Sequence, residues 1–220
     1  MLFYRRNLPH IIAPGHPFFV TTRLAGSLPI RKLKEIRNEL AQSLKATKNL
    51  KSLQDKQHQI RRLHQQFFLK YERLLHTNKT GPQWLVNTQV AQVVYDSLMW
   101  GDQKRYFLIA FTIMPNHIHV VLLPFFDNQD KHSLSTDDDD NARYVLANII
   151  GNFKKFTARQ ANKILKRQGA FWQNESYDHL LRNDEELHRS VNYVLMNPVK
   201  AGLAKTPEQY RWNYVNLDYL

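Results

Sequence analysis

The chain has 220 residues, of which 31 are Lys or Arg and 19 are Asp or Glu, so its formal net charge is +12. This length suits one domain with room for an insertion, and a hydrophobic fraction of 43% is enough to build a core. The positive excess predicts a polyanionic partner, most simply nucleic acid. Charge alone does not establish specificity, because any basic surface binds DNA at low salt.

The chain contains no cysteine, which excludes disulfides, thiolate metal sites and cysteine nucleophiles. No apolar run approaches the ~20 residues of a membrane-spanning helix. The N-terminus lacks the apolar core and the cleavage site of a signal peptide. We therefore expect a cytoplasmic protein without a membrane partner.

The first third of the chain combines a strand with a long helical segment. Residues 18–24 predict a first strand, which follows a loop containing proline and glycine. Residues 31–76 are rich in Lys, Arg, Gln, Leu and Glu, contain no Gly or Pro, and repeat apolar residues at helical spacing. They predict two helices in an antiparallel hairpin that turns near residues 47–49. The hairpin could be a DNA clamp or a partner-binding arm, and many of its charges are expected to form a solvated face.

The rest of the chain alternates helical and strand patterns. It predicts a helix at residues 84–100, followed by two strands at 106–113 and 117–124. A long helix at 141–167, a strand within 171–181 and a last helix at 184–197 complete the pattern. Four aspartates end the polar loop of residues 127–140 and indicate a solvated segment. With the first strand, this order is that of a ferredoxin-like α+β sandwich with an antiparallel sheet. We expect a single domain over residues 1–220, with a helical-hairpin insertion at about residues 31–76.

Two histidines are the most informative residues. His117 and His119 are separated by one residue in the predicted third strand, so both side chains point to the same face of the sheet. Two imidazoles that project side by side from a rigid strand are what a divalent metal site requires. The alternative is an ordinary pair of histidines at the end of a sheet, and so short a motif does not decide between them.

A tyrosine in the last predicted helix lies away from the apolar stripe. The stripe consists of Leu187, Val191, Val194 and Leu195. Tyr193 lies roughly 145° from its centre, and Asn197, four residues later, shares the face of Tyr193. A core tyrosine would lie on the stripe, so Tyr193 is either a surface residue or a functional one.

Two segments carry a resemblance to a known family. Residues 114–119 read Met-Pro-Asn-His-Ile-His, and residues 193–203 read Tyr-Val-Leu-Met-Asn-Pro-Val-Lys-Ala-Gly-Leu. Together they resemble the single-tyrosine HUH transposases, in which U is a hydrophobic residue, and among these the REP-associated tyrosine transposases. Residues 4–6, 171–173 and 177–183 are also similar to the family pattern. The resemblance covers most of residues 1–24 and 84–212, whereas the helical insertion departs from compact family members.

The resemblance implies an activity and a set of site residues. It implies that Tyr193 is the catalytic nucleophile and that His117, His119 and Asn197 hold a divalent ion. Because an amide oxygen admits Mg²⁺ or Mn²⁺, we expect Mg²⁺, which is abundant in cells, with Mn²⁺ as an effective substitute. The implied reaction is attack on a DNA phosphodiester, which gives a 5′-phosphotyrosine link and a free 3′-hydroxyl. The implied substrate is single-stranded DNA, or a DNA hairpin with a single-stranded flank. Family members are monomers or homodimers.

Eight further residues, all basic or aromatic, are candidates for DNA contact: Arg5, Arg6, Lys154, Lys155, Arg159, Lys200, Trp172 and Tyr177. By resemblance, the two N-terminal arginines form an arm that reads a groove or a guide base. The basic residues of the long helix are expected to follow phosphates. The two aromatic residues either stack on bases or belong to the core.

Two other functions fit parts of this pattern. A domesticated, catalytically inactive protein that binds single-stranded nucleic acid would keep the fold, but all four residues of the implied site are present. A replication initiator or a conjugative relaxase shares the metal chemistry. The short length of the chain and the lack of a helicase domain weigh against it.

Overall fold

The structure is a computed structural model that describes residues 2–5, 9–12, 16–50, 52–77, 80–125 and 145–219. The loop with four aspartates lies outside these residues, and so does Arg6. The chain forms two compact units, of which one is Gly26–Pro82 and the other is the remainder of the chain. The segment predicted as an insertion lies within the first of these units.

Within the described ranges the chain forms seven strands and five α-helices, which are in order β1 (Leu2–Arg5), β2 (Pro9–Ile12), β3 (Phe18–Arg23), α1 (Ile30–Ala46), α2 (Leu53–Thr77), α3 (Thr88–Gly101), β4 (Tyr106–Ile113), β5 (His117–Pro124), α4 (Val145–Ile164), β6 (Tyr177–Leu180), α5 (Asp184–Lys200) and β7 (Asn213–Val215). Strands β1 and β2 form a two-stranded antiparallel sheet of their own. Neither this hairpin nor β7 was predicted from the sequence.

Five strands form one antiparallel sheet, in the spatial order β6-β3-β5-β4-β7. Strand β3, helix α3, strands β4 and β5, helix α4 and strand β6 follow one another along the chain as in a ferredoxin-like fold. Their spatial order, with the first strand between the last and the third, is also that of this fold. The predicted α+β architecture with an antiparallel sheet and a helical hairpin is therefore confirmed.

The two faces of the sheet have different neighbours, because side chains alternate along each strand. One face carries Val20 and Val120 and packs on α3 and α4 to form the main hydrophobic core, with Val94 and Phe153 on the helices. The opposite face carries the two histidines of β5, and α5 packs against β4 and β5. The sheet therefore separates the core from the candidate site.

The turn between β4 and β5 fixes where the second of these strands begins. The backbone N–H of Met114 donates to the carbonyl oxygen of His117 at 2.8 Å and closes the turn. The carbonyl oxygens of Pro115 and Asn116 accept from the N–H groups of Leu85 and Leu24, at 3.2 and 2.9 Å. Because neighbouring segments hold the turn from outside, the strand starts at His117 in one register.

Helix α5 begins where the sequence predicted. The side-chain oxygen of Asn183 accepts a hydrogen bond from the N–H of Glu186 at 2.8 Å. Three acidic residues occupy the first turn, where their negative charge interacts favourably with the positive end of the helix dipole. The helix runs to Lys200, three residues past the predicted end, and Pro198 lies within its last turn. The N–H of Ala201 donates to the carbonyl of Asn197 at 3.0 Å and completes that turn.

Two other predicted helix boundaries are wrong. The helix expected from residue 84 begins at Thr88, because Asn87 caps it by accepting the N–H groups of Gln89 and Val90 at 3.0 and 3.2 Å. The long helix expected to end at residue 167 ends at Ile164, and Lys166 has a φ of 50°, which no α-helix accommodates. Its predicted start at residue 141 lies outside the described residues.

The unit of residues 26–82 contains α1 and α2, joined by a 3₁₀ turn at Thr47–Asn49 where the sequence predicted a turn. An ion pair between Lys70 and Glu39 connects the two helices. The rings of Phe67 and Tyr71 stack within α2, with centroids 6.1 Å apart. Neither α2, at 25 residues, nor any other helix in the described ranges is both long and apolar enough to cross a membrane.

Candidate active site

Two histidine side chains converge at the start of β5. His117 and His119 are 1% and 0% exposed, and their Nε2 atoms are 3.1 Å apart. Two nitrogens that occupy adjacent positions around one ion at ~2.1 Å are about 3 Å apart from each other. The two imidazoles therefore have the separation of two ligands of a single divalent ion.

A hydrogen bond at the other nitrogen orients each ring. Nδ1 of His117 donates to Oδ1 of Asn116 at 2.6 Å, and Nδ1 of His119 lies 2.8 Å from Oγ1 of Thr21. Thr21 reaches this ring because it is the register partner of His119 on neighbouring β3. When both Nδ1 atoms donate, both Nε2 atoms present lone pairs to the same point, which a shared cation stabilises.

Tyr193 lies beside the histidine pair. Its ring is partly buried and meets the ring of His119 edge-on, with centroids 5.5 Å apart. Phe19 supports both rings, since it stacks on His119 at 5.3 Å and meets Tyr193 edge-on at 5.8 Å. The ammonium of Lys200 lies over the Tyr193 ring, with Nζ 5.3 Å from its centroid. A single chain thus brings together a phenol, a cation and two imidazoles.

Asn197 is a buried polar residue on the same side of α5 as Tyr193, one helical turn later. It is 0% exposed, and neither its Oδ1 nor its Nδ2 has a hydrogen-bond partner among the described residues. A buried polar group without a partner costs about 1–3 kcal/mol, and most buried amides therefore have one. An amide oxygen left unsatisfied beside the tyrosine has the chemistry of a metal ligand.

Two imidazole nitrogens and one amide oxygen are a donor set whose chemistry suits the divalent ion that the sequence resemblance implies. Imidazole nitrogens alone favour the softer first-row metals, whereas an amide oxygen suits Mg²⁺ or Mn²⁺. The unpaired amide of Asn197 and the converging Nε2 atoms are the observations that support such an ion. The resemblance had implied this donor set, and the structure adds the orientation of the imidazoles.

The basic residues predicted to contact DNA on α4 have two different environments. Lys155 and Arg159 are exposed on the helix surface, where phosphates can reach them. Lys154 points toward the protein, and its Nζ donates to the carbonyl oxygens of Gln173 and Asn174 at 3.0 and 3.1 Å. Burial lowers the pKa of Lys154 to about 8. Its ammonium therefore holds the segment before β6.

The two aromatic candidates are core residues. Trp172 is 6% exposed and its Nε1 donates to Oγ1 of Thr157 at 2.8 Å, while Tyr177 is 8% exposed. Buried rings offer almost no surface to a base, so the structure favours the second of the two predicted alternatives for both residues. The backbone of Arg5 belongs to β1, but its side chain lies outside the described part of the chain.

Sequence reasoning missed the residues that support the site. Thr21, Asn116 and Phe19 orient or pack against the site side chains, but no pattern in the sequence assigned them that role. The one available signal was the threonine pair at residues 21 and 22, which follows three apolar residues in the strand. Finding their partners required the register of β3 against β5, which no local pattern contains.

Comparison with known proteins gives one significant curated relative and one similar solved structure. A Haemophilus influenzae protein, provisionally named a REP-associated tyrosine transposase, is 27% identical over 113 residues, which are 50% of this chain and 59% of that protein. The chain therefore spans less than two thirds of that relative.

The structure of a REP-associated tyrosine transposase bound to a REP hairpin superposes with a TM-score of 0.47 and 18% identity, covering 97% of this chain and 82% of that one. No family model matches the chain. The sequence resemblance to the REP-associated tyrosine transposases that the motifs indicated is confirmed by this relative.

Proposed function

We propose that the protein is a divalent-metal-dependent DNA endonuclease and strand transferase, a transposase, in which Tyr193 is the nucleophile. One observation carries the proposal. The phenol of Tyr193 lies next to a pair of imidazoles whose Nε2 atoms are 3.1 Å apart, and an unpaired buried amide follows it by one helical turn. A structural tyrosine would not require either neighbour.

The proposed reaction exchanges one ester bond for another. Oη of Tyr193 attacks phosphorus and forms a bond to the 5′-phosphate, while the bond to the 3′ oxygen breaks. The phenolic proton is lost, and the leaving oxygen becomes a 3′-hydroxyl. Since the phosphotyrosine link conserves the energy of the original bond, a second 3′-hydroxyl can reverse the step on another strand without ATP.

The chain's own residues prepare this step. His117, His119 and Asn197 would hold Mg²⁺ or Mn²⁺, which when bound supplies stabilisation of negative charge on the phosphate oxygens. Asn116 and Thr21 keep the two imidazoles in one orientation. The ring contacts of Tyr193 with Phe19 and His119 hold its ring on the same side of the sheet as the two imidazoles, which supports its proposed role as the nucleophile.

The proposed substrate is single-stranded DNA, or a hairpin with a single-stranded flank. This choice follows the motif resemblance and the excess of positive charge. Three of the predicted phosphate-contacting residues, Lys155, Arg159 and Lys200, are exposed. All four site residues come from one chain, so the proposed site is complete in either a monomer or a homodimer.

The test is formation of a covalent protein–DNA adduct. The full chain is incubated with 3′-labelled hairpin DNA taken from the flanks of its own gene, with Mg²⁺, with Mn²⁺ or with chelator, and run on a denaturing gel. The 3′ label stays with the protein because Tyr193 is joined to the 5′-phosphate of the fragment that lies 3′ to the break and carries the labelled end. We expect a metal-dependent adduct that Tyr193→Phe abolishes and that Tyr95→Phe retains, because Tyr95 belongs to α3, which packs on the opposite face of the sheet.

The Tyr193→Phe protein should still bind the hairpin, because phenylalanine preserves the ring contacts with Phe19 and His119. Binding without an adduct, with both metals and across several hairpins, would contradict the proposal. It would support the alternative of a catalytically inactive protein that binds single-stranded nucleic acid.

A further inference from the structure

Most of the net charge of the protein lies in one quarter of its length. Residues 26–82 contain 13 Lys and Arg residues against 4 Asp and Glu residues, a net charge of +9, while the whole chain has +12. The other 163 residues, which contain the candidate active site, therefore carry only +3. The proposed catalysis does not use this helical hairpin, so its charge needs a separate explanation.

The charge is accessible on the surface of the hairpin. Its exposed cations include Lys34, Lys45, Arg61, Arg62 and Arg73. In the described ranges 26–50, 52–77 and 80–82, none of these five forms an ion pair, while Glu35 and Glu39 are occupied by other basic residues. An unpaired cation in contact with water lowers the stability of the folded protein very little, and it remains available to bind a polyanion.

The exposed cations are aligned along each helix. Lys34 and Lys45 on α1 are eleven residues apart, as are Arg62 and Arg73 on α2. Eleven residues make just over three helical turns, so each pair lies on one side of its helix with a separation of about 16 Å along the axis. At 25 residues, α2 is about 37 Å long, close to the ~34 Å of one turn of duplex DNA.

The hairpin lacks the aromatic surface that binds unpaired bases. Its three aromatic residues are Phe67, Phe68 and Tyr71. Phe67 and Tyr71 are buried, at 4% and 5% exposure, and Phe68 is partly buried. Proteins that hold single strands combine basic residues with exposed rings on which bases stack. Aligned cations without exposed rings match a phosphate backbone instead.

We propose that the α1–α2 hairpin is a second nucleic-acid-binding element, which binds the phosphate backbone of double-stranded DNA without reading its sequence. Its natural target is a duplex stem, while the candidate active site acts on a single-stranded flank. The inference rests on the proposed function only for the choice of DNA among polyanions, because the accessible charge and its alignment do not depend on catalysis.

The test is the salt dependence of duplex binding by the full-length protein. The variant carries Lys34→Gln, Lys45→Gln, Arg62→Gln and Arg73→Gln. These positions are exposed, and glutamine has nearly the helix propensity of lysine and arginine, so the helices are retained. The dissociation constant of a labelled 20-base-pair duplex of arbitrary sequence is measured from 50 to 250 mM NaCl. Circular dichroism checks that the helix content is unchanged.

We expect the slope of log Kd against log salt to fall by about 3 to 4, since each lost phosphate contact removes about 0.9. The matched control, Lys104→Gln, Arg189→Gln, Lys205→Gln and Arg211→Gln, removes the same charge from exposed positions outside the hairpin. Its slope should change by less than one. Equal slopes for the two variants, or an unchanged slope for the hairpin variant, would overturn the inference.

A second measurement separates this inference from the proposed function. On a short single-stranded substrate without a stem, at saturating concentration, the hairpin variant should form the Tyr193 adduct as the wild type does. If no form of the protein makes an adduct, the proposed catalysis fails while the salt slopes still decide the role of the hairpin. If only the hairpin variant fails on this substrate, the hairpin is part of the active site, and the proposed division of labour is wrong.

Discussion

The unpaired amide of Asn197 leads to an uncommon prediction, that removing it stabilises the protein. The side chain is fully buried and neither of its polar atoms has a hydrogen-bond partner among the described residues. Asn197→Leu replaces the amide with an apolar group of similar size and removes a desolvation cost of about 1–3 kcal/mol. For a chain of this length, that corresponds to a rise in Tm of roughly 2–12 °C in the presence of chelator.

Metal should stabilise this variant less than it stabilises the wild type. An ion that binds only the folded state at 100 times its Kd stabilises the wild type by about 2.7 kcal/mol. If loss of the Asn197 oxygen weakens binding tenfold, the same ion concentration stabilises the variant by only about 1.4 kcal/mol. Thermal denaturation with chelator and with a series of Mn²⁺ concentrations measures both effects in one experiment.

Asn213 supplies the matched control for this experiment. Its Nδ2 donates to the carbonyl oxygens of Leu195 and Pro207, each at 3.0 Å, so this asparagine has bonds to lose. Asn213→Leu should lower the Tm in chelator and leave the metal-induced shift as it is. If Asn197→Leu lowers the Tm in chelator as Asn213→Leu does, then Asn197 is a structural residue and its assignment as a ligand is wrong.

Three other substitutions test the supporting residues. Thr21→Val removes the hydroxyl that lies 2.8 Å from Nδ1 of His119, so metal affinity measured by titration should fall about 10–100-fold. Excess Mn²⁺ should restore adduct formation. Unchanged affinity would contradict the orienting role of Thr21. Trp172→Phe loses the hydrogen bond to Thr157 and should lower the free energy of unfolding by about 1 kcal/mol, without changing the affinity of the protein for hairpin DNA. Weaker DNA binding at unchanged stability would instead show that the ring contacts DNA. Burial lowers the pKa of Lys154 to about 8, so between pH 8 and 10 the unfolded chain binds more protons at this residue and Lys154 makes stability rise with pH. The Tm of the wild type minus that of Lys154→Met should therefore increase from pH 7.5 to pH 9.5. A constant difference would contradict the lowered pKa of Lys154.

Local patterns in the sequence predicted most elements of the fold and indicated the residues of the candidate site. Apolar residues at spacing two and at helical spacing located the strands of the ferredoxin-like sheet and the hairpin turn near residue 48, because these periods reflect backbone geometry and need no tertiary contact. The spacing of His117 and His119 on a strand, and of Tyr193 and Asn197 on a helix, likewise assigned each pair to one face. The sequence of the turn and cap residues placed the start of α5.

Only the tertiary structure decided which polar groups meet. The bond between Thr21 and His119 depends on the register of two strands that are about a hundred residues apart in the chain. Whether Trp172 is buried or exposed, and whether Lys154 faces solvent or backbone carbonyls, depends on what packs above each residue. The missing partners of Asn197 are also a property of its surroundings. Periodicity specifies the direction of a side chain within its own element, but the neighbour it reaches is fixed by long-range packing of the folded chain.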